Sequence, residues 1–402
     1  MLSIGLNGNR NLQMLVLQTA VTQFCFGMLV VIWQPYAVEL GTSFTQLGTI
    51  QAIITISSGA GSLFWGRVSD QYGRKPAHIG AMLTRIIAVI CMYRADDWSG
   101  LILFGVFIGF AASWTQSSPV STTLVSESVG EEKINTALSL YSSAGTLVAV
   151  LASPLGGYLA VNDRYYVIFL SCILGELLNT VLAKLFLRET LSQRETGVEK
   201  IGLMELLVPE RELLPFYLIS MLSMFSWRVT FSNLNAILVD SYGLSTVQLG
   251  LMVSVFSISY GLTQPPLGVV LDRNPKRQFL IISRFGFLAI ALGYLLSKSF
   301  LMILLLQVIN GVSHSFGVPS LISMVITRTR KEQRATTLAK LATLPQIVSV
   351  PAPIIGGILY EMYGFDLILM IRALFLISTV LIAVFWIKPD ENFSKKSPIL
   401  SL

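Results

Sequence analysis

The chain has 402 residues, 53% of them hydrophobic and only 12% charged, with a mean hydropathy of +0.69. Soluble globular chains are charged at roughly 25% of positions, so this one lacks the polar surface to cover its core in water and must present apolar surface to lipid. Cys25, Cys91 and Cys172 lie far apart inside apolar runs, which excludes a disulfide scaffold, and the basic balance of 28 Lys and Arg against 22 Asp and Glu sits in short loops, a mark of membrane orientation rather than of nucleic-acid binding.

Crossing a bilayer takes about 20 apolar residues at a rise of about 1.5 Å each. Such runs recur from end to end and predict twelve spans: 13–38, 44–65, 77–94, 100–124, 135–160, 165–187, 214–239, 246–267, 278–297, 300–326, 336–360 and 366–387. The first run is too long for a signal-peptide core and no small-residue cleavage site follows it, so it is expected to be retained. Only one connection is long. Residues 188–213 gather ten charges, and within them Ile201, Leu203, Met204, Leu206 and Leu207 read either as a short helix on the membrane surface or as part of a flexible linker. With the N-terminus inside, nineteen Lys and Arg fall in cytoplasmic segments and three (Arg94, Arg164, Lys298) fall outside, which puts both termini and the central loop in the cytoplasm.

The two halves repeat one another. Thr45-Gln46-Leu47-Gly48 returns as Val247-Gln248-Leu249-Gly250 and Gly66-x-x-x-Asp70 as Gly268-x-x-x-Asp272, both displaced by 202; Pro119 returns as Pro319 and Gly156-Gly157 as Gly356-Gly357, displaced by 200. Four matches in register, with a charged linker between them, indicate a duplicated six-helix unit: residues 1–187, a linker 188–213, and residues 214–402. Two such bundles can rock about a site at their interface near the bilayer midplane; a stable scaffold is the plainer reading.

The segment Gly66-Arg67-Val68-Ser69-Asp70-Gln71-Tyr72-Gly73-Arg74-Lys75 resembles the signature loop between the second and third helices of the major facilitator superfamily. The copy at Gly268–Arg277 keeps Gly268, Asp272 and the basic pair ending in Arg277, with Pro275 where Gly is usual. The resemblance implies an all-α membrane fold of twelve transmembrane helices, in two six-helix bundles related by a pseudo-twofold axis. It also implies gating roles for Asp70, Arg74 and Glu127. By their own chemistry, Gly66 and Gly73 permit close backbone approach and a tight turn, Asp70 can face the positive N-terminus of a helix, and Arg74 can reach Glu127, while Arg67, Arg74 and Lys75 also enforce topology. Pro353-x-x-Gly356-Gly357 has a spacing associated with efflux antiporters, where it lies in span five; here span five reads Ser153-Pro154-Leu155-Gly156-Gly157, one residue short, and close helix packing explains both glycine pairs as well.

Charge inside the membrane costs about 2.5–3.5 kcal/mol for Arg near a helix centre, so each case requires a reason. Lys184, Lys340 and Arg372 lie near span ends and are expected to snorkel. Arg85 in span three and Glu176 in span six sit at similar depth and read as an intramembrane ion pair, with proton coupling as the other possibility. Arg284 holds much the same place in the second half without an evident partner.

Arg228 falls mid-span in helix seven beside Trp227, with Asn235 seven residues on and so on the same face. The resemblance implies that helices one, four, seven and ten line a central cavity. There the candidate substrate residues are Gln23 on helix one, grouped with Thr19 and Gly27; Trp114 and Gln116 on helix four; Arg228 and Asn235; and Asn310 and His314 on helix ten, grouped with Gln307 and Gly317. Gln264 is the polar feature of helix eight. Helix–helix hydrogen bonding is the alternative use of these faces. His314 titrates near neutral pH when solvated and can carry a coupling proton or simply hydrogen-bond.

No ATP-binding loop, hydrolase serine elbow or Cys/His metal set is present, so neither an enzyme nor a pump driven by ATP is expected, and no cofactor or metal. The reading is a monomeric secondary transporter of the plasma membrane whose partners are a small organic solute, a coupling proton and the lipid bilayer. Efflux is favoured by the drug-exporter-like loop and Pro-Gly-Gly features; uptake or exchange of an organic anion through Arg228 is the alternative.

Overall fold

The computed structural model describes residues 9–112, 119–129, 133–191, 208–330 and 333–388, and among them every regular element is helical. In chain order these are α1 (Arg10–Glu39), α2 (Phe44–Tyr72), α3 (Arg74–Tyr93), α4 (Trp98–Phe110), α5 (Pro119–Glu127), α6 (Ile134–Val161), α7 (Tyr165–Phe186), α8 (Leu214–Phe231), α9 (Leu234–Tyr242), α10 (Thr246–Arg273), α11 (Lys276–Leu296), α12 (Phe300–Arg328), α13 (Arg334–Val348) and α14 (Ala352–Leu381). Ten helices among the described residues are long and apolar enough to cross a bilayer. One of the ten, Thr336–Trp386, runs 51 residues, more than twice what one crossing takes. Gly364, at φ 76°, breaks its helical geometry.

The motif shared by the second and eighth spans has a physical cause. Ser43 and Gln46 form a capping box at the start of α2: Ser43 N donates to Gln46 Oε1 at 2.9 Å, and Gln46 N donates to Ser43 Oγ at 3.3 Å. Ser245 and Gln248 repeat it at the start of α10 with the same two distances. Two residues before each serine, Gly41 (φ 79°) and Gly243 (φ 64°) take the left-handed conformation that side chains resist. A glycine turn followed by a reciprocal cap therefore fixes where both helices begin.

The repeat extends to burial. On α7, Ile168, Phe169, Cys172, Glu176, Asn179 and Ala183 are buried; 200 residues on, Ile368, Leu369, Arg372, Leu376, Thr379 and Ala383 are buried too. The spacing of three and four residues places each set on one helical stripe. Equivalent stripes thus meet equivalent neighbours but carry different chemistry.

Helix packing divides the chain into two compact units. The first comprises residues 1–198 with 233–257; in it α6 and α7 pack on α1, α4 packs on α2 and α3, and α9 lies against α1. The second comprises residues 199–232 with 258–402; in it α12 and α14 pack on α11, and α13 and α14 on α8. Segment 233–257, which belongs to the second sequence copy, thus groups with helices of the first.

Removing a cap hydroxyl leaves an amide of the first turn unsatisfied and costs about 1 kcal/mol. Ser43→Ala and Ser245→Ala should each speed amide hydrogen exchange in the first turn of α2 or α10 respectively, without affecting the other helix.

Candidate functional site

In the first unit a buried ion pair anchors a polar network. Arg85 Nη2 lies 2.8 Å from Glu176 Oε2, and neither side chain is more than 7% exposed. Thr22 Oγ1 donates to Glu176 Oε1 at 2.8 Å, and Asn179 Nδ2 donates to Thr22 Oγ1 at 2.9 Å and to the Gln18 carbonyl at 3.1 Å. Gln18 Nε2 donates to the Asn179 carbonyl at 2.9 Å, while Gln18 Oε1 lies 3.3 Å from His78 Nε2. The network ties α1, α3 and α7 together. Burying two charges repays its desolvation cost only when the remaining lone pairs and protons find partners, and Thr22 supplies one to the carboxylate.

The loop after α2 forms a second cluster. Arg74 Nη2 and Nε lie 3.0 and 3.1 Å from Glu127 Oε1, Arg74 Nη1 donates to Ser69 Oγ at 3.0 Å, and Arg74 also pairs with Asp70. Asp70 thus meets Arg74 one helical turn on. Thr190 Oγ1 donates to Glu127 Oε2 at 2.6 Å. Glu189 occupies the N-terminus of α3, accepting from the backbone of Arg74 at 2.8 Å and Lys75 at 3.1 Å. Partial burial pushes its pKa up, but bonds from the amides of Leu191, Arg74, Lys75 and Thr190 outweigh this and hold the carboxyl below its ordinary range. Gly73, at φ 117°, makes the turn. Among the described residues nothing lies within 4 Å of where a Cβ on Gly66 would stand.

In the second copy of the loop, the side chain of Asp272 lies outside the described residues, and Gly268 sits within α10. Arg277 donates to the carbonyls of Ala383 and Val384, which belong to a π-helical turn at Ile382–Trp386. Such a turn displaces carbonyls from the regular ladder, and the guanidinium satisfies two of them.

The second unit holds an open cavity of about 630 Å³ between α8, α11, α12, α13 and α14. Arg284, Arg372, His314, Gln346 and Trp227 line it, with Met224, Phe287, Val318, Leu338 and Leu376 among its apolar walls. Arg372 was expected to snorkel; instead it is only 3% exposed, its guanidinium 4.3 Å from the centroid of the Phe231 ring. Arg284 is 6% exposed, donates from Nη1 to Ser223 Oγ at 2.7 Å and lies over Phe287. Arg284 Nε and Arg372 Nε and Nη1 have no hydrogen-bond partner, and no carboxylate pairs with either residue among the described residues. His314 packs edge-on to Phe287 with centroids 4.8 Å apart.

The remaining candidates disperse. Arg228 Nη2 donates to Gln346 Oε1 at 2.5 Å in the second unit. Asn235 belongs to the first unit, where its Nδ2 donates to the Val31 carbonyl at 3.2 Å and its backbone N to Gln34 Oε1 at 3.0 Å. α8 ends at Phe231 and α9 begins at Leu234, so the seven-residue spacing between Arg228 and Asn235 does not run along one helix. Within α8, Thr230 Oγ1 bonds back to the Ser226 carbonyl, a habit that loosens helices. Asn310 donates to Gln307 at 3.3 Å, and Gln307 to Tyr294 Oη at 3.1 Å, in a helix–helix network. Gln23 packs against Gly145 of α6, and Gln264 hydrogen-bonds Tyr260. Trp114 and Gln116 lie outside the described residues, as does the apolar segment Ile201–Leu207.

Lys340, also expected to snorkel, pairs with Glu210 at 2.9 Å, and Tyr217 Oη donates to the other oxygen of Glu210 at 2.5 Å. Burial raises the Glu210 pKa, yet the bonds from Tyr217 and Lys340 prevail and it lies below its ordinary range. Gln18, His78 and Gln346 were not among the sequence candidates. What joins each to its partners is contact across helices.

A family model described as Major Facilitator Superfamily matches residues 15–214 and 216–400. The chain belongs to this superfamily. Among relatives, it is 27% identical to the MFS-type transporter SLC18B1 of Mus musculus over 391 residues, covering 90% of this chain and 82% of the relative. It is 23% identical to the multidrug resistance protein MdtG of Salmonella paratyphi C (strain RKS4594) over 389 residues, covering 92% and 93%. Among solved structures, nucleoside transporter NupG superposes with a TM-score of 0.69 at 16% identity, over 93% of this chain and 97% of that one. The human organic anion transporter MFSD10 (TETRAN) gives 0.64 at 15%, over 93% and 99%. As a superfamily member, the chain is a multi-pass membrane transporter of organic solutes.

Removing one partner of a buried ion pair costs about 3–5 kcal/mol, whereas replacing both by apolar groups is often neutral. Glu176→Ala should therefore lower the thermal unfolding midpoint of the detergent-solubilised transporter well below that of the double variant Arg85→Met/Glu176→Leu.

Proposed function

We propose that the chain is a secondary active exporter that moves a small organic solute by alternating access, with two six-helix bundles, 1–187 and 214–402, joined by the linker 188–213. The observation that carries this reading is a small-residue seam between the copies. In the first unit, Gly157 of α6 sits against the backbone of Thr246, and Gly250 of α10 against that of Ser153. Thr246 Oγ1 donates to the Gly157 carbonyl at 2.7 Å and Ser254 Oγ to the Val150 carbonyl at 2.6 Å. Helices of two sequence copies thus meet through small residues and hydroxyls, contacts that can part without leaving large apolar side chains exposed. With twelve crossings and both termini in the cytoplasm, this seam lies toward the outer side and the Asp70–Arg74–Glu127 cluster toward the inner. The two then serve as gates of opposite sides, and Arg228, Asn310 and His314 of the second unit bind the solute.

The name of the relative MdtG, a multidrug resistance protein, supports efflux; the exporter is read as a monomer of the plasma membrane, coupled to a proton. Uptake or exchange of an organic anion is the second reading, favoured by the two arginines of the second-unit cavity.

The test is transport by purified protein in proteoliposomes of determined orientation, with and without a pH gradient, offered ethidium, 2-naphthoate and uridine in turn. Saturable, gradient-dependent movement of at least one solute is expected, and Asp70→Asn should cut its rate while expression is kept; movement of none overturns the reading. In the variant Val150→Cys/Ser254→Cys, oxidative cross-linking should stop transport and reduction restore it, since a seam that cannot part blocks the cycle. Full activity of the cross-linked protein would show that the seam does not move.

A further inference from the structure

The two sequence copies treat their buried arginines differently. In the first, Arg85 is neutralised by Glu176, and Cys172 lies one turn away on the same stripe of α7. At the displacement of 200 that relates Pro119 to Pro319, Glu176 becomes Leu376 and Cys172 becomes Arg372, while Arg284 lies one residue short of the position equivalent to Arg85. The first copy is electrically balanced. The second has a leucine in place of that carboxylate and a cation in place of Cys172, with Arg284 buried as well.

An uncompensated charge in a low-dielectric interior is expensive, and ring contacts compensate only part of it. In the second unit the two cations border a cavity of about 630 Å³, and three of their nitrogens lack a hydrogen-bond partner among the described residues. Guanidinium is the side chain best matched to a carboxylate, which it binds through paired N–H groups. Beside a few neutral polar groups, among them Ser223, His314 and Gln346, the wall is mostly apolar, with Met224, Phe287, Val318, Leu338 and Leu376.

We infer that this cavity, inside the second unit, is a binding site for an amphiphilic organic anion, its carboxylate held by Arg284 and Arg372 and its apolar body by the surrounding side chains. The inference rests on the transporter reading and names the solute class. In it, the bound anion replaces the carboxylate that Glu176 provides in the first copy. Neutral and cationic analogues of the same body are rejected because they leave both guanidinium groups unpaired.

The site is tested by equilibrium binding of radiolabelled 2-naphthoate to the full-length protein in detergent, with 2-naphthamide as the neutral control. Wild type should bind naphthoate saturably and naphthamide at least about ten-fold more weakly. Leu376→Glu, which imports the carboxylate of the first copy, should weaken naphthoate binding by at least about ten-fold while eluting as a monodisperse protein. Arg372→Gln should weaken it equally and decides the question if Leu376→Glu does not accumulate. Absence of saturable naphthoate binding in wild type, or equal binding in the variants, overturns the site. The two readings fail separately. A wild type that moves ethidium or uridine but neither binds nor moves naphthoate loses the anion site and keeps the transporter. One that binds naphthoate in detergent but moves none of the three solutes keeps the site and loses the transporter.

Discussion

A charge inside a bundle of apolar helices must be answered by an opposite charge, by hydrogen bonds or by something bound. Much of the polar architecture here follows from that constraint. Arg85 is answered by Glu176, and Glu176 in turn recruits Thr22 and, through it, Asn179. The exchange of hydrogen bonds between Gln18 and Asn179 then fixes α1 against α7 at one register. A slip by one residue would bury unpaired charge, so the pair specifies the packing as much as it stabilises it.

The same constraint shapes the ends of the helices. Glu189 fills the N-terminus of α3, Glu210 meets Lys340 and Tyr217, and Arg277 satisfies the carbonyls freed by the π-helical turn. Chain on either side of the charged linker is therefore tied to a helix of its own unit, Glu189 in the first and Glu210 in the second. Backbone approach is managed by small residues. Gly156 lies against Met28, Gly157 against Thr246 and Gly356 against Val229, so the glycine pairs shared by the two copies serve close packing in both.

The capping boxes show why part of the fold was readable in advance. Ser43 with Gln46 and Ser245 with Gln248 are local signals, acting over three residues, and the displacement of 202 was visible because each needs the same residue types to satisfy the same first-turn amides. The pairing of Arg85 with Glu176 was legible for a related reason: charge is rare enough in an apolar chain that two opposite charges at equal depth are natural partners. Arg228 with Asn235 was not legible. Helical spacing assumed an unbroken helix, and the break at Ser232–Asn233 sends the two residues into different compact units.

By itself the sequence determined that the chain is a membrane transporter built from apolar helices, because hydropathy, periodicity and local motifs are properties of short stretches. It also determined which residues carry charge into the membrane. Only the tertiary structure decided that Arg372 is buried beside a cavity rather than turned to the interface, and that Arg284 shares that cavity with it. A side chain near a helix end can reach water or turn inward. Its direction depends on which faces the neighbouring helices present, and no stretch of a single helix contains that information.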